Sequence, residues 1–254
     1  MKTDVEGIVL RETKTSYNRR MIQLFTRDYG KISAGTSLGE RGKTKSSLAL
    51  QHFTFGRYIL HRGRSGYNID SAEVVKSFYS IGENIDKYLY GSYVLEFTGK
   101  VLEEEVPAPG LFDLLLELFE ILEKRNRGIG TPVLAYQTRL LGYMGVAPVL
   151  DRCASCGRPA EGHWFGIAEG GLLCDCCKKE LEKLTEAENN RCDSLIYSVD
   201  NVIINALDFF GRNSLRKLEN TALNGETGRK LQQIIRDYAA YHLDASNIKS
   251  ESMI

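Results

Sequence analysis

Short segments of alternating apolar and polar residues fill roughly the first seventy-five positions of the chain. They read VEGIVLR, MIQLFT, KISAGTS, HFTFGRYILH and NIDSAEVV, with polar or turn-forming residues between them. A period of two is typical of strands that bury one face. Five such strands in so short a span predict a small barrel or sandwich. A five-stranded barrel with basic loops is typical of an OB-fold, although the strand count alone does not separate it from other small barrels.

After Val75 the apolar period changes to about 3.6 residues, which indicates helices. In LFDLLLELFEILEK, one helix face carries Leu111, Leu114, Leu115, Leu118 and Leu122. Further helices are expected at about 83–104, 132–145, 178–188, 194–210 and 228–242. The pattern therefore predicts an α+β protein, with a five-stranded OB-fold domain at 1–78 and an α-helical domain at 79–254.

The charge of the chain is unevenly distributed. The whole sequence has 33 basic and 33 acidic residues, but residues 1–64 contain thirteen Lys and Arg against five Asp and Glu. Several basic residues lie in the glycine-containing segment LGERGKTKSS at 38–47, which we expect to be an exposed loop. Such asymmetry indicates a module that binds polyanions, although a solvated basic surface is the alternative.

The N-terminal segment has no features of a membrane or secretory signal. The acidic residues Asp4 and Glu6 lie where a signal peptide would have its apolar core. No apolar run reaches the roughly 18 residues of a membrane span. We therefore expect a soluble, cytoplasmic protein without a membrane partner. In that compartment the six cysteines stay reduced, which favours metal binding over disulfides.

Four cysteines have the spacing of a zinc ribbon. Cys153 and Cys156 form one CxxC pair, and Cys174 and Cys177 form a second pair seventeen residues later. Two residues between thiolates allow one tight turn to direct both sulfurs at one ion, and two such turns complete a tetrahedron. We predict a zinc-binding insertion at about 150–180 within the helical domain, with inert buried thiols as the alternative.

The remaining details of this site are less determined by the sequence. Cys176 could replace Cys177 in the second pair, although a CxC pair is a poorer chelate, and Cys192 stands alone. Four thiolates leave no position for water, so the zinc is expected to be structural. Its formal charge of about −2 would be offset by nearby cations, for which Arg152, Arg158, Lys178 and Lys179 are the candidates.

The sequence lacks the motifs of common enzymes. It has no glycine-rich dinucleotide or phosphate loop, no nucleophile elbow and no HExxH zinc motif. Its four histidines, His52, His61, His163 and His242, are scattered among different elements. We therefore expect a protein that is not an enzyme.

Several segments together resemble the bacterial RecO family of recombination mediators, nearly from end to end. They are GIVLRETKTSYNRRMIQLFTRDYGKIS, LALQHF, SAEVVKSF, LLGYMGVAPVLDRCASCG and GGLLCDCC. The fourth is the most specific, because the family places Gly-Tyr, Pro and Asp just ahead of its CxxCG. The first hairpin turn departs from the family, since Tyr17-Asn18-Arg19-Arg20 stands where Glu and Asp are expected.

The resemblance implies a DNA repair and recombination function. Family members bind single- and double-stranded DNA, anneal complementary strands and, with RecR, load the RecA recombinase onto DNA coated with single-stranded-DNA-binding protein. Binding without sequence readout requires cations for phosphates and aromatic rings for bases. The candidate phosphate contacts are Lys31, Arg41, Lys43, Lys45, Arg57, Arg62 and Arg64, and the candidate stacking platforms are Tyr17, Tyr29 and Tyr67. Phe25, Phe53 and Phe55 are expected to fill the barrel interior instead.

Two other functions fit the same features. An OB-fold with a zinc ribbon also suits a protein of RNA metabolism, because neither module alone separates DNA from RNA. A protein adaptor is the second alternative, in which the basic domain meets an acidic partner. The acidic tail of single-stranded-DNA-binding protein would be such a partner, so adaptor and DNA binder are compatible. For a RecO-like protein we expect a location at the bacterial nucleoid.

Overall fold

The first part of the chain forms five β-strands, as the alternating pattern predicts. The computed structural model describes residues 2–14, 20–38, 45–63, 66–160, 163–187, 195–218 and 221–254. The strands are β1 (Lys2–Lys14), β2 (Arg20–Thr26), β3 (Gly30–Thr36), β4 (Thr54–Gly63) and β5 (Gly66–Ser77), and a short helix, α1 (Lys45–Leu48), precedes β4.

The five strands close into a barrel in the order β1-β2-β3-β5-β4. The length of β1 allows it to pair with both β2 and β4, so that Gly7 lies opposite Thr26 on one side and Gly56 on the other. All neighbours are antiparallel except β3 and β5, which close the barrel through a short parallel pairing at Ala34 and Tyr67. A closed five-stranded barrel confirms the predicted OB-like fold.

The barrel has two buried surfaces, one inside and one outside. Alternate residues such as Val5, Ile22 and Leu60 fill the interior. On the outer surface Phe25 is also fully buried, and its ring lies 5.3 Å from the ring of Phe112 in a following helix. Burial on both faces occurs because helices cover one side of the barrel.

Those covering helices are α2 (Tyr79–Glu83), α3 (Ile85–Val101) and α4 (Pro109–Lys124). Asn84 separates α2 from α3, and its side chain caps α3 by accepting a hydrogen bond of 3.0 Å from the Lys87 amide. Pro109 begins α4, where its missing amide hydrogen is tolerated. The apolar face predicted for 111–122 is buried in the structure.

The chain forms two compact units. The first contains residues 1–129 and 247–254, and the second contains residues 130–246. The expected boundary at residue 78 follows the end of β5, but the first unit continues to Ile129 because the covering helices pack on the barrel. A 3-10 helix (Lys249–Met253) completes it, where the Glu96 carboxylate accepts hydrogen bonds of 2.9 Å from the amides of Lys249 and Ser250.

The second unit combines helices with a small sheet. Its helices are α5 (Gly130–Tyr143), α6 (Asp175–Ala187), α7 (Asn201–Arg212) and α8 (Gly225–Leu243), with a 3-10 helix at Leu215–Leu218. The sheet has the order β7-β6-β8 and consists of β6 (Trp164–Gly166), β7 (Gly171–Leu173) and β8 (Ile196–Ser198). The helix expected over 194–210 begins instead at Asn201, after the Asp200 cap, because Ile196–Ser198 pairs with β6.

Among the helices that the structure describes, none combines the length and the apolar character needed to cross a membrane.

Candidate metal centre and basic face of the barrel

The structure brings together the four cysteines of the two CxxC pairs. The Sγ atoms of Cys153, Cys156, Cys174 and Cys177 all lie within 4.8 Å of one another, and those of Cys156 and Cys174 are 3.8 Å apart. A zinc–sulfur distance of about 2.3 Å in a tetrahedron requires sulfurs about 3.8 Å apart. The sulfurs therefore fit a zinc ion, while the exposed Cys176 is not part of this group. Cys192 lies outside the described residues.

Each pair is held by backbone hydrogen bonds. In the first, the Gly157 amide donates to the Cys153 carbonyl (2.9 Å), and Gly157 itself has a φ of +74°, which favours glycine. In the second, the Lys178 amide donates to the Cys174 carbonyl (3.0 Å), so that Cys177 falls in the first turn of α6. Both turns direct their sulfurs inward.

The first cysteine turn is joined to the small sheet at two places. The Ala154 amide donates to the Leu172 carbonyl on β7 (2.7 Å), and the Leu172 amide donates to the Val149 carbonyl (2.9 Å). Val149 also forms a bridge with Gly171, whose missing side chain leaves room for this approach. Hydrogen bonds to β7 therefore hold the segment that precedes the first CxxC pair.

The centre is apolar on one side and open on the other. Cys153 and Cys177 are buried together with Leu173, and Trp164, Leu181 and Ile196 pack around them. Cys156 is exposed and Cys174 is half-buried. With four sulfur donors the site offers an ion a complete coordination shell, which is typical of structural zinc.

Arg158 supplies the cation beside the cysteines. Its Nε lies 3.4 Å from the Cys156 Sγ, and this hydrogen bond lowers the pKa of the Cys156 thiol to about 6. A lower pKa favours the thiolate that a metal requires. Arg152 and Lys178, also expected to offset thiolate charge, pair instead with Asp151 and Glu182.

Contacts to α8 hold the small sheet in place. The Tyr197 hydroxyl on β8 donates to the Asp237 carboxylate, which also accepts a hydrogen bond of 2.8 Å from Gln233 Nε2. His242 Nε2 lies 2.8 Å from the Ile167 carbonyl oxygen. The sequence alone does not predict these contacts, because single polar positions carry no motif.

Of the residues expected to contact phosphate, those whose side chains the structure describes lie on two strands, β3 and β4. Arg57 and Arg62 lie on β4, and their side chains are exposed. Arg41, Lys43 and Arg64 lie outside the described residues. Lys45 begins α1, and its side chain is outside the described part.

Lys31 has a different position from the one expected. It is only 9% exposed, and its Nζ donates to the Gly99 carbonyl near the end of α3 (3.0 Å) and lies 3.5 Å from Glu104 Oε1. An ammonium group held in this way is not accessible to a phosphate. We therefore exclude Lys31 from the proposed DNA-binding surface.

Acidic residues accompany the basic ones on the barrel. Arg57 Nε lies 3.8 Å from Asp4 Oδ1, and Arg62 Nη2 lies 3.5 Å from Glu105 Oε2. Arg27 pairs with Asp113 on α4 as well as with Glu6. Acidic residues distant in sequence thus neutralise part of the positive charge counted in residues 1–64.

The candidate aromatic platforms differ in exposure. Tyr29 is 37% exposed at the turn between β2 and β3, whereas Tyr67 is half-buried, and the Arg62 guanidinium lies 5.3 Å from its ring centre. Tyr17 lies outside the described residues.

The three phenylalanines expected inside the barrel face the covering helices. Phe25 and Phe55 contact Phe112 on α4, and Phe53 contacts Phe119 on the same helix at 5.8 Å. They stabilise the attachment of the helices to the barrel rather than filling the barrel.

The closed barrel and the four-cysteine centre together define an OB-fold protein with a metal-binding ribbon set among helices. A family model described as "Recombination protein O N terminal" matches residues 1–78, and one described as "Recombination protein O C terminal" matches residues 82–252. The chain therefore belongs to the RecO family.

Curated relatives agree with this assignment over almost the whole length. "DNA repair protein RecO" of Alkaliphilus metalliredigens is 27% identical over 251 residues, which cover 98% of this chain and 97% of the relative. The protein of the same name from Caldanaerobacter subterraneus is 28% identical, covering 94% and 92%. That from Listeria monocytogenes is 29% identical, covering 92% and 86%.

Proposed function

We propose that the chain is a non-catalytic mediator of DNA repair and recombination that binds single- and double-stranded DNA through its barrel. The observation that carries this proposal is the match of both RecO family models, in order, to residues 1–78 and 82–252. The relatives from Alkaliphilus and Caldanaerobacter are DNA repair proteins, and they match nearly the whole chain. The exposed arginines of the barrel supply the chemistry that phosphate binding needs.

Phosphate contacts would come from β4 and from the basic loops. Arg57 and Arg62 present exposed guanidinium groups, and Arg41, Lys43, Lys45 and Arg64 would extend this surface. Tyr29, Tyr67 and Tyr17 are the proposed base platforms. Contacts of these two kinds bind any sequence, which suits a mediator acting wherever a gap arises.

Annealing follows from the same electrostatics. Two complementary strands repel each other through their phosphates, and a protein that neutralises phosphates lowers this repulsion. Bond making or breaking is not required. We propose that the chain also cooperates with RecR in loading RecA, and that it contacts the acidic tail of single-stranded-DNA-binding protein, as its family membership suggests.

The proposed metal role is structural. Cys153, Cys156, Cys174 and Cys177 would hold zinc, whose binding energy would stabilise the fold of the ribbon. The chain's own residues would orient the thiolates and cover one side of the site. For the protein as a whole we propose a location at the nucleoid in the bacterial cytoplasm.

The test is a triple variant in the basic loop, Arg41→Ala, Lys43→Ala and Lys45→Ala. Each phosphate that the variant no longer neutralises should reduce the slope of log affinity against log salt by about 0.7 for single-stranded DNA, so the slope should flatten by roughly two units. Affinity for all sequences should fall alike, and annealing should fall with it. Fluorescence anisotropy at several salt concentrations measures the slope.

A matched variant controls for net charge. Lys217, Arg229 and Lys230 are exposed in the second unit, and replacing all three with Ala removes the same charge elsewhere. An equal reduction of slope in both variants would contradict a role for the loop. Tighter binding to RNA than to matched DNA would favour the RNA-binding alternative.

A further inference from the structure

An acidic segment lies against the barrel just after α3. We call residues 103–106, with the sequence Glu-Glu-Glu-Val, the acidic strap. Glu104 forms a parallel bridge with Lys31 on β3, and the Glu105 amide donates to the Lys31 carbonyl at 2.8 Å. The strap therefore adds backbone pairing to β3 at Lys31, ahead of the pairing of β3 with β5 at Ala34.

The backbone of the strap is fixed closely to β3. A Cβ added at Gly30, which has a φ of +66°, would lie 1.9 Å from the Val106 carbonyl oxygen. Lys31 also contacts the strap through its side chain: its Nζ lies 3.5 Å from Glu104 Oε1 and donates a hydrogen bond to the Gly99 carbonyl. The backbone of the strap is therefore packed directly against β3.

Glu105 occupies an unusual backbone conformation within this fixed segment. Its φ of +58° is one that residues with side chains rarely adopt. In this conformation its carboxylate lies 3.5 Å from Arg62 Nη2, and the Arg62 guanidinium in turn lies over the Tyr67 ring. The carboxylate thus meets an arginine of the proposed DNA-binding surface.

The pair of Glu105 and Arg62 is exposed and exchangeable. The side chains are 50% and 66% exposed, so water screens their attraction and little holds them together. A carboxylate and a phosphate oxygen are both hydrogen-bond acceptors for a guanidinium group. DNA bound at Arg62 would therefore replace Glu105.

We propose that the acidic strap is an internal competitor for DNA, in which Glu105 occupies Arg62 until a phosphate displaces it. This inference rests on the proposed DNA-binding function. Displacing Glu105 from this exposed pair costs a phosphate no more than about fivefold in affinity, or about 1 kcal/mol. A strand with many phosphates displaces Glu105 because its other contacts hold it in place. The strap thereby lowers the affinity of the surface for DNA by the free energy of one exposed ion pair.

The variants Glu105→Gln and Glu103→Gln test this proposal. Glu103 is exposed in the same strap and has no ion pair within the part of the chain that the structure describes, so both variants remove one negative charge from one place. We expect Glu105→Gln to bind a single-stranded oligonucleotide about two- to fivefold more tightly than Glu103→Gln does, the range for one exposed ion pair. Its salt slope should stay close to that of Glu103→Gln, because by this proposal Arg62 contacts a phosphate in both complexes.

A second background isolates the pair. In an Arg62→Ala protein the change Glu105→Gln should bring no gain over Glu103→Gln. Equal affinities of the two variants in the wild-type background would contradict the proposed competition by the strap. A gain in affinity that persists in the Arg62→Ala protein would contradict it as well. Absence of DNA binding by the wild type and by Glu105→Gln alike would overturn the proposed function as well. Thermal unfolding of each variant verifies that the fold is unchanged.

Discussion

Gly171 lies so close to Val149 that a Cβ on Gly171 would stand 2.2 Å from the Val149 carbonyl oxygen. The two residues form a parallel β-bridge, with hydrogen bonds of 2.9 Å from the Val149 amide to Gly170 and from the Leu172 amide to Val149. This contact joins the segment before the first CxxC pair to the strand before the second. The glycine is required by backbone proximity, since the obstructing atoms cannot rotate away.

We therefore expect Gly171→Ala to destabilise the second unit by about 1–3 kcal/mol, as overpacking does. Trp164, the single tryptophan, lies in this unit beside the cysteines, so its fluorescence during urea denaturation reports the change. Gly211→Ala in α7 is the control, because no atom beyond its chain neighbours and its own helix backbone lies within 4 Å of a Cβ there and Ala favours a helix. Similar urea midpoints for both variants would show that the β-bridge accommodates a Cβ at Gly171 without loss of stability.

A second prediction separates the two adjacent cysteines. Cys177→Ser should release most of the bound zinc, because the Cys177 sulfur belongs to the group of four, whereas Cys176→Ser should keep about one equivalent per chain. Elemental analysis of metal-replete protein measures both. Retention of zinc by Cys177→Ser would assign the fourth ligand to Cys176.

Removal of a ligand should affect folding more than DNA binding. Cys153→Ser removes a buried sulfur from the second unit, and the proposed DNA surface lies on the first. We expect a lower unfolding temperature by Trp164 fluorescence and an almost unchanged affinity for single-stranded DNA. A fully stable variant that fails to bind DNA would reverse this division of roles.

The hairpin of β1 and β2 contains a bidentate ion pair that should respond to pH. Arg20 Nε and Nη2 lie 2.6 and 2.7 Å from the two Glu12 carboxylate oxygens, and this pairing holds the pKa of Glu12 below its ordinary value of 4.5. A lowered pKa stabilises the fold above pH 4.5, and the contribution declines as pH falls from there through the pKa of the folded state.

Glu12→Gln should accordingly cost about 1 kcal/mol at pH 7 and progressively less below about pH 4.5. Urea denaturation followed by circular dichroism between about pH 3 and pH 7 measures the difference. Glu73→Gln, an exposed glutamate on β5, is the comparison. A difference between Glu12→Gln and wild type that stays constant over this range would contradict the assigned role of the pair.

Phe112 joins the barrel to α4. Its ring contacts Phe25 and Phe55, and the Arg27 guanidinium lies 4.9 Å from its centre. Phe112→Ala should cost about 3–5 kcal/mol, because the cavity cannot close against a barrel wall. The effect should appear in the circular dichroism transition and only weakly in Trp164 fluorescence, which reports the other unit. Phe209→Ala, at a half-exposed site on α7, should cost far less.

The barrel could be predicted because its strands are long enough to show a period. Alternation over five or more residues identified all five strands, and CxxC spacing identified the four sulfurs that the structure brings together. The three-residue strand β8 could not be found in this way. Ile196–Ser198 is too short to show alternation, and it is a strand only because β6 lies beside it.

The basic surface was harder to predict than the fold. The sequence shows that Lys31 is basic, but only the structure shows that its ammonium group meets the end of α3 and the Glu104 carboxylate. These partners lie about seventy residues away and leave no local signal. Phe25, Phe53 and Phe55 are predicted to lie inside the barrel because alternation alone does not show which face of a strand the helices cover.

The order of synthesis on the ribosome gives the two-unit arrangement a further meaning. The second unit is a single uninterrupted segment, whereas the first is divided and needs residues 247–254, which bind Glu96 through Ser250. Those residues leave the ribosome after all of the second unit has emerged. The first unit, although begun earlier, therefore cannot gain this last segment until the whole second unit has been synthesised. A chain that ended before residue 247 would leave the Glu96 carboxylate without its hydrogen bonds from the Lys249 and Ser250 amides.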